Sequence, residues 1–159
     1  MVIEMKVKLL TFDSSSNGFV VLLSDLDNLY ALPIWIGPFE ANAIAMKLNN
    51  VHTHRPMTHD LIRNIAGRFQ SEILKVEVID LRDNIYYALI HFRIEGREVT
   101  IDSRPSDAIA VALAASVPIY VAKKVLSKAK TIELDKDMEE DQLEEFLQNL
   151  NPEDFKYKA

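Results

Sequence analysis

The sequence predicts an α+β domain: a mostly antiparallel sheet with helices packed on it. Three observations carry this. Apolar and charged residues alternate over Ile3, Met5, Val7 and Leu9 against Glu4, Lys6 and Lys8, the period of a half-buried strand. Strand-length runs are separated by short turns, which favours antiparallel pairing. A strand leading into a helix of small residues occurs twice: with Ile44 set on Ile109, Ile36 falls on Ile101, Gly37 on Asp102, Asn42 on Asp107 and Leu48 on Leu113. The expectation is an internal duplication of a strand-strand-strand-helix unit.

In chain order, the first strand ends at the turn Ser14-Ser15-Ser16-Asn17-Gly18, and the apolar run 19–23 makes a second, buried strand. Residues 30–36 make a third, in which Pro33 points to an edge or a bulge because it cannot donate to a ladder. A helix over 38–48 follows, with Ala41, Ile44, Ala45 and Leu48 on one face. After the polar loop 49–56, Thr58 is a cap for a helix over 59–69 whose inward positions are Leu61, Ile62, Ile65 and Phe69. Strands are expected over 73–81 and 85–94, with Ala88, Ile90, Phe92 and Ile94 inward. Glu95-Gly96 turns into a strand over 97–101. Asp102 or Ser103 caps the next helix, and Pro105 suits its first turn, where a missing N–H is no loss. A short strand at 118–121 and a basic helix over 123–130 complete the body, residues 1–132. The segment 133–159 is acidic and amphipathic; Leu143, Phe146, Leu147 and Leu150 give it an apolar face expected to dock on the same domain.

The totals are those of one globular domain: 159 residues, 48% hydrophobic and 26% charged. With no cysteine, disulfides, thiol catalysis and cysteine zinc sites are excluded. The start is no signal peptide, and the longest uncharged stretch, 108–122, is shorter than the roughly 18 residues of a membrane span, so a cytoplasmic protein without membrane contact is expected. The net charge of −6 is uneven: 133–159 carry ten acids and three bases, while 1–132 carry fourteen acids and fifteen bases. A near-neutral body neither favours nor excludes a polyanionic partner.

Chemistry concentrates at the corner Asp102-Ser103-Arg104-Pro105-Ser106-Asp107. Carboxylates beside a helix N-terminus can hold a divalent ion or deprotonate water, and arginine stabilises phosphoryl charge; helix capping with a local ion pair is the simpler account. Glu40 and Asn42 read in the same two ways. His52, His54 and His59 with Asp60 could ligate zinc or manganese, although their spacing matches no strong motif. Arg55, Arg63 and Arg68 could face phosphate, since guanidinium forks onto its oxygens, or could simply form a charged face. Phosphate-binding glycine loops and nucleophile elbows are absent.

Three runs together carry a resemblance: residues 32–41 (LPIWIGPFEA), 55–61 (RPMTHDL) and 102–110 (DSRPSDAIA). They resemble the bifunctional nuclease (BFN) domain family, also catalogued as DUF151. The resemblance implies an α+β domain found in bacteria and plants, with nuclease activity on RNA and DNA in plant relatives. What it transfers is motif position, not catalytic role: Glu40, Arg55, Thr58, His59, Asp60, Asp102, Ser103, Arg104 and Asp107.

The expectation is therefore a metal-assisted nuclease. Asp102, Asp107 and Glu40 would hold a divalent cation, magnesium or manganese, with Asp102, Arg104, Asp107 and His59 catalytic. Arg104 and Arg55 would clamp phosphate, Arg55, Thr58 and Ser103 would bind RNA or DNA, and His59 would relay a proton. The alternative is a non-enzymatic oligomeric scaffold or ligand-binding regulator, in which the same residues cap helices and tie loops together. Either way, a homo-oligomer, most simply a two-fold dimer, is expected from the amount of apolar helix surface.

Overall fold

The computed structural model describes residues 1–150. Eight strands form a single sheet: β1 (Val2–Asp13), β2 (Gly18–Asp25), β3 (Tyr30–Ile36), β4 (Ser71–Arg82), β5 (Ile85–Ile94), β6 (Arg97–Ser103), β7 (Ile119–Ala122) and β8 (Ile132–Glu133). The helices are α1 (Pro38–Leu48), α2 (Thr58–Arg68), α3 (Pro105–Ala115), α4 (Lys123–Lys128) and α5 (Glu140–Gln148). The strand order is β6-β5-β4-β7-β1-β2-β3-β8. Every pairing is antiparallel except that of β4 with β7, so the α+β expectation holds.

The two hairpins of the second half close on residues with positive φ, Asp83 and Asn84 in one, Glu95 and Gly96 in the other, the left-handed pair a two-residue turn demands. Pro33 sits where β3 has lost its outer neighbour, because β8 pairs only with Tyr30 and Ala31. Its missing N–H therefore costs no ladder bond.

The duplicated order is visible in the sheet. Outward from β7 stand β4-β5-β6 on one side and β1-β2-β3 on the other. Because β4 is parallel and β1 antiparallel to β7, the halves run in opposite directions, an approximate two-fold relation. The element boundaries correct the predicted register: Pro38 corresponds to Pro105, Gly37 to Arg104 and Glu40 to Asp107, each pair holding the same position in α1 and α3.

The main core lies between the sheet and α1, α2 and α3. α3 is its centre, with Ala108 to Ala112 all buried, and the small residues of α1 let the two helices pack closely. A bulge between Val7 and Leu9 changes the expected pattern of β1. Met5 and Val7 face the helices, whereas Leu9 turns to the opposite face of the sheet. There Leu9 joins Leu22, Ala31 and Ile132 in a second core covered by α5. The last residues of the acidic segment, 151–159, lie outside the described residues.

Two further expectations are corrected. The inward stripe of α2 is His59, Ile62 and Ala66, not Leu61, Ile65 and Phe69, which are exposed. The helix is rotated by polar links: His59 to Asp107, Asp60 to Lys47, and Arg63 to the Ala114 carbonyl at the end of α3. In α5, Leu143 and Leu147 are buried, while Phe146 is 40% exposed. Replacing Leu143 with Ala should therefore lower the unfolding free energy in urea by about 2–4 kcal/mol. Phe146→Asp should cost far less than burying a charge would.

Candidate functional site

β3 and β6 are separated by five strands and run in opposite directions, so their C-terminal ends occupy diagonal corners of the sheet. Flat, those corners would be more than roughly 29 Å apart, since six strand spacings of about 4.8 Å give that distance sideways and the offset along the strands adds to it. Instead, Arg104, just past β6, donates from Nη2 to Glu40 Oε1, in the first turn of α1, at 2.8 Å. The sheet coils until the corners meet above its helical face.

At that meeting point a chain of polar contacts crosses three helices. Arg104 Nε also donates to Asp107 Oδ2 at 2.8 Å, and Asp107 Oδ1 lies 3.0 Å from His59 Nε2. Glu40 and Asp107 are the third residues of their helices, where the dipole and free N–H groups favour a carboxylate. Gly37 makes room: a Cβ there would lie 2.6 Å from Glu40 Oε2. Burial pushes the Asp107 carboxyl up, but hydrogen bonds from Arg104 and His59 and their charges outweigh this and hold it below the ordinary carboxylate range. With Asp107 ionised, the imidazole bonds it only through a protonated Nε2, so the neutral ring keeps its lone pair on Nδ1.

His59 also lines a cavity of about 540 Å³ between α1, the loop before α2, α2 and α3. Lys47, Arg55 and Arg63 line it too, with His52 and His54. Lys47 pairs with Asp60 at 2.6 Å, and Asp60 also accepts the Met57 N–H at 3.2 Å. The Lys47 hydrogen bond is the main reason the Asp60 carboxyl stands below its usual value.

The predicted residues thus divide. Glu40, Arg104, Asp107 and His59 are brought together, and Arg55 is in the adjoining cavity. Asp102 stands apart: opposite Leu89 in β6, it alternates with Ile101 and so projects to the sheet face away from the helices. Neither Asp102 nor Ser103 caps α3. The N-cap is Arg104, and the Ser103 hydroxyl donates to the Arg104 carbonyl. Thr58 is the first residue of α2 rather than its cap; Met57 holds that place, with Asp60 reaching back to its N–H.

Among the described residues no three His, Cys, Asp or Glu side chains gather to hold a metal ion. The space between Glu40 and Asp107 is taken by the Arg104 guanidinium, which bonds both and offsets one of their two charges. With the guanidinium between Glu40 and Asp107, and Asp102 on the other sheet face, the three expected ligands do not converge on one point. Sequence reasoning missed Lys47. Its one signal is its place in the last turn of α1, two residues before a polar loop.

Residues 21–134 match the bifunctional nuclease domain, and the chain belongs to that family. It is 36% identical over 163 residues to an uncharacterized protein of Mycobacterium tuberculosis (strain CDC 1551 / Oshkosh), covering 96% of this chain and 98% of that one. It is 24% identical over 116 residues to Bifunctional nuclease 1 of Oryza sativa subsp. indica, covering 71% of this chain and 35% of the rice protein. Bifunctional nuclease 2 of Arabidopsis thaliana is 28% identical over 95 residues, 29% of its length. No described helix is long and apolar enough to cross a membrane.

The depressed Asp107 carboxyl has a testable sign. Its contribution to stability is fully present above the ordinary Asp value of about 3.9 and is lost as pH falls through the lower folded value. The stability difference between the parent and Asp107→Asn, read by urea denaturation, should shrink as pH falls below about 4.

Proposed function

We propose that the chain hydrolyses phosphodiester bonds in RNA and DNA, with His59 as the proton-transferring group. The observation that carries this is the His59–Asp107 pair at the wall of a cation-lined cavity. Asp107 fixes the tautomer and stabilises the imidazolium that forms when the ring takes a proton from the attacking water; the water oxygen bonds to phosphorus, the P–O bond to the leaving oxygen breaks, and the imidazolium returns the proton to that oxygen. Arg104 holds Asp107 ionised and aligned. Arg55, which has no side-chain partner among the described residues, binds the phosphate and offsets the negative charge that builds on it. The family and the printed names of the plant relatives support the same reaction class.

His59→Ala and Asp107→Asn, made separately, should each cut cleavage of single-stranded RNA and DNA by at least about tenfold, and Arg104→Ala by a similar factor. The assay uses repurified protein with magnesium, manganese or chelator, which also tests the divalent cation expected from the sequence. Variants that cleave as well as the parent would return the chain to the scaffold reading.

The proposal includes a two-fold dimer. It is supported by Leu61, Ile65 and Phe69, which form a stripe along α2 and are 50%, 49% and 76% exposed, and by Val99 and Ile101 on the open edge strand β6. Sedimentation at micromolar concentration should give twice the chain mass, and Phe69→Glu should reduce it to one.

A further inference from the structure

The cavity combines two chemistries that phosphate binding alone does not require. Among its polar lining, His52, His54 and Arg55 have no side-chain partner among the described residues, and the acid Asp60 is already held by Lys47. The lining also includes apolar side chains: Met46 and Leu113 from α1 and α3, and Val51 and Met57 from the loop before α2. Val51 and Met57 remain 47% and 36% exposed, a cost in water that a flat apolar ligand would remove. The volume, about 540 Å³, lies within the roughly 300–1,000 Å³ of small-ligand sites. A base inside a duplex is stacked and paired and cannot present its face to such a cavity, whereas an unpaired base can.

We propose that this cavity holds one unpaired nucleotide, its phosphate on Arg55 and the histidines and its base on the apolar wall of Met46, Val51, Met57 and Leu113. This rests on the phosphodiester reading and narrows it: the substrate is a single-stranded segment or strand end rather than duplex.

The histidines supply the test. Three of the four in the chain line the cavity. The fourth, His91, alternates with the core residues Ile90 and Phe92 and so lies on the opposite face of the sheet, its Nδ1 2.6 Å from Glu98. In a titration followed by imidazole NMR, adenosine 5′-monophosphate should shift His52, His54 and His59 and leave His91 unmoved. It should bind at least about tenfold tighter than adenosine or inorganic phosphate, because both chemistries are needed. A fluorescent single strand should bind at least about tenfold tighter than its duplex, and Arg55→Ala should weaken both the strand and the mononucleotide about fivefold or more.

Inorganic phosphate giving the same shifts at the same concentration would overturn the nucleotide assignment, as would equal affinity for strand and duplex or the absence of histidine shifts. Binding is read without turnover, so the two proposals fail separately. Nucleotide binding without cleavage supports this site and ends the hydrolase reading; cleavage without histidine shifts does the reverse.

Discussion

The Arg104 guanidinium between Glu40 and Asp107 is the contact on which the arrangement of the site depends. Arg104 is 56% exposed, while the Glu40 side chain is only 12% exposed. The desolvated members of the cluster are thus its carboxylates, and a half-buried carboxylate is tolerable only when paired. One arginine serves two of them, one from each half of the chain. Without it, the diagonal corners of the sheet would bring two like charges together. With it, they close, and α2 is drawn in through His59.

Charge shows why totals mislead about sites. The body is near neutral, yet the cavity is cationic, because charges of either sign are unevenly placed. At the far end of β4, Asp80 accepts Lys128 Nζ at 2.8 Å and lies 3.2 Å from Lys124 and 3.4 Å from Arg82. The Lys128 hydrogen bond is the largest of the causes that drive its carboxyl far below the ordinary range. Three cations are thereby engaged around one acid, while Arg55 faces the cavity unopposed. Net charge counts both alike.

Much of the fold was legible because it rests on local rules. β3 and α1 fall where the apolar runs, Gly37 and Pro38 place them, and the hairpins turn at Asp83-Asn84 and Glu95-Gly96 as their residue types require. What was not legible depends on tertiary partners. No local pattern announces the bulge that sends Leu9 to the second core, since Ile3, Met5, Val7 and Leu9 alternate as an uninterrupted strand would. The rotation of α2 is not legible in the sequence because Leu61 and Ile65 are as apolar as the inward Ile62, whereas its packing is decided by Ala66 and by polar links to residues about fifty positions away. At the site, residue types were readable but convergence was not. Asp102 differs from Asp107 only in lying on an alternating strand, and that alone takes it to the wrong face.

Arg104 and Gly37 hold the same place in the two halves, the N-caps of α3 and α1. With arginine at one of these places and glycine at the other, the corner holds one cation over two carboxylates, so it presents different chemistry on its two sides although the halves share a strand order.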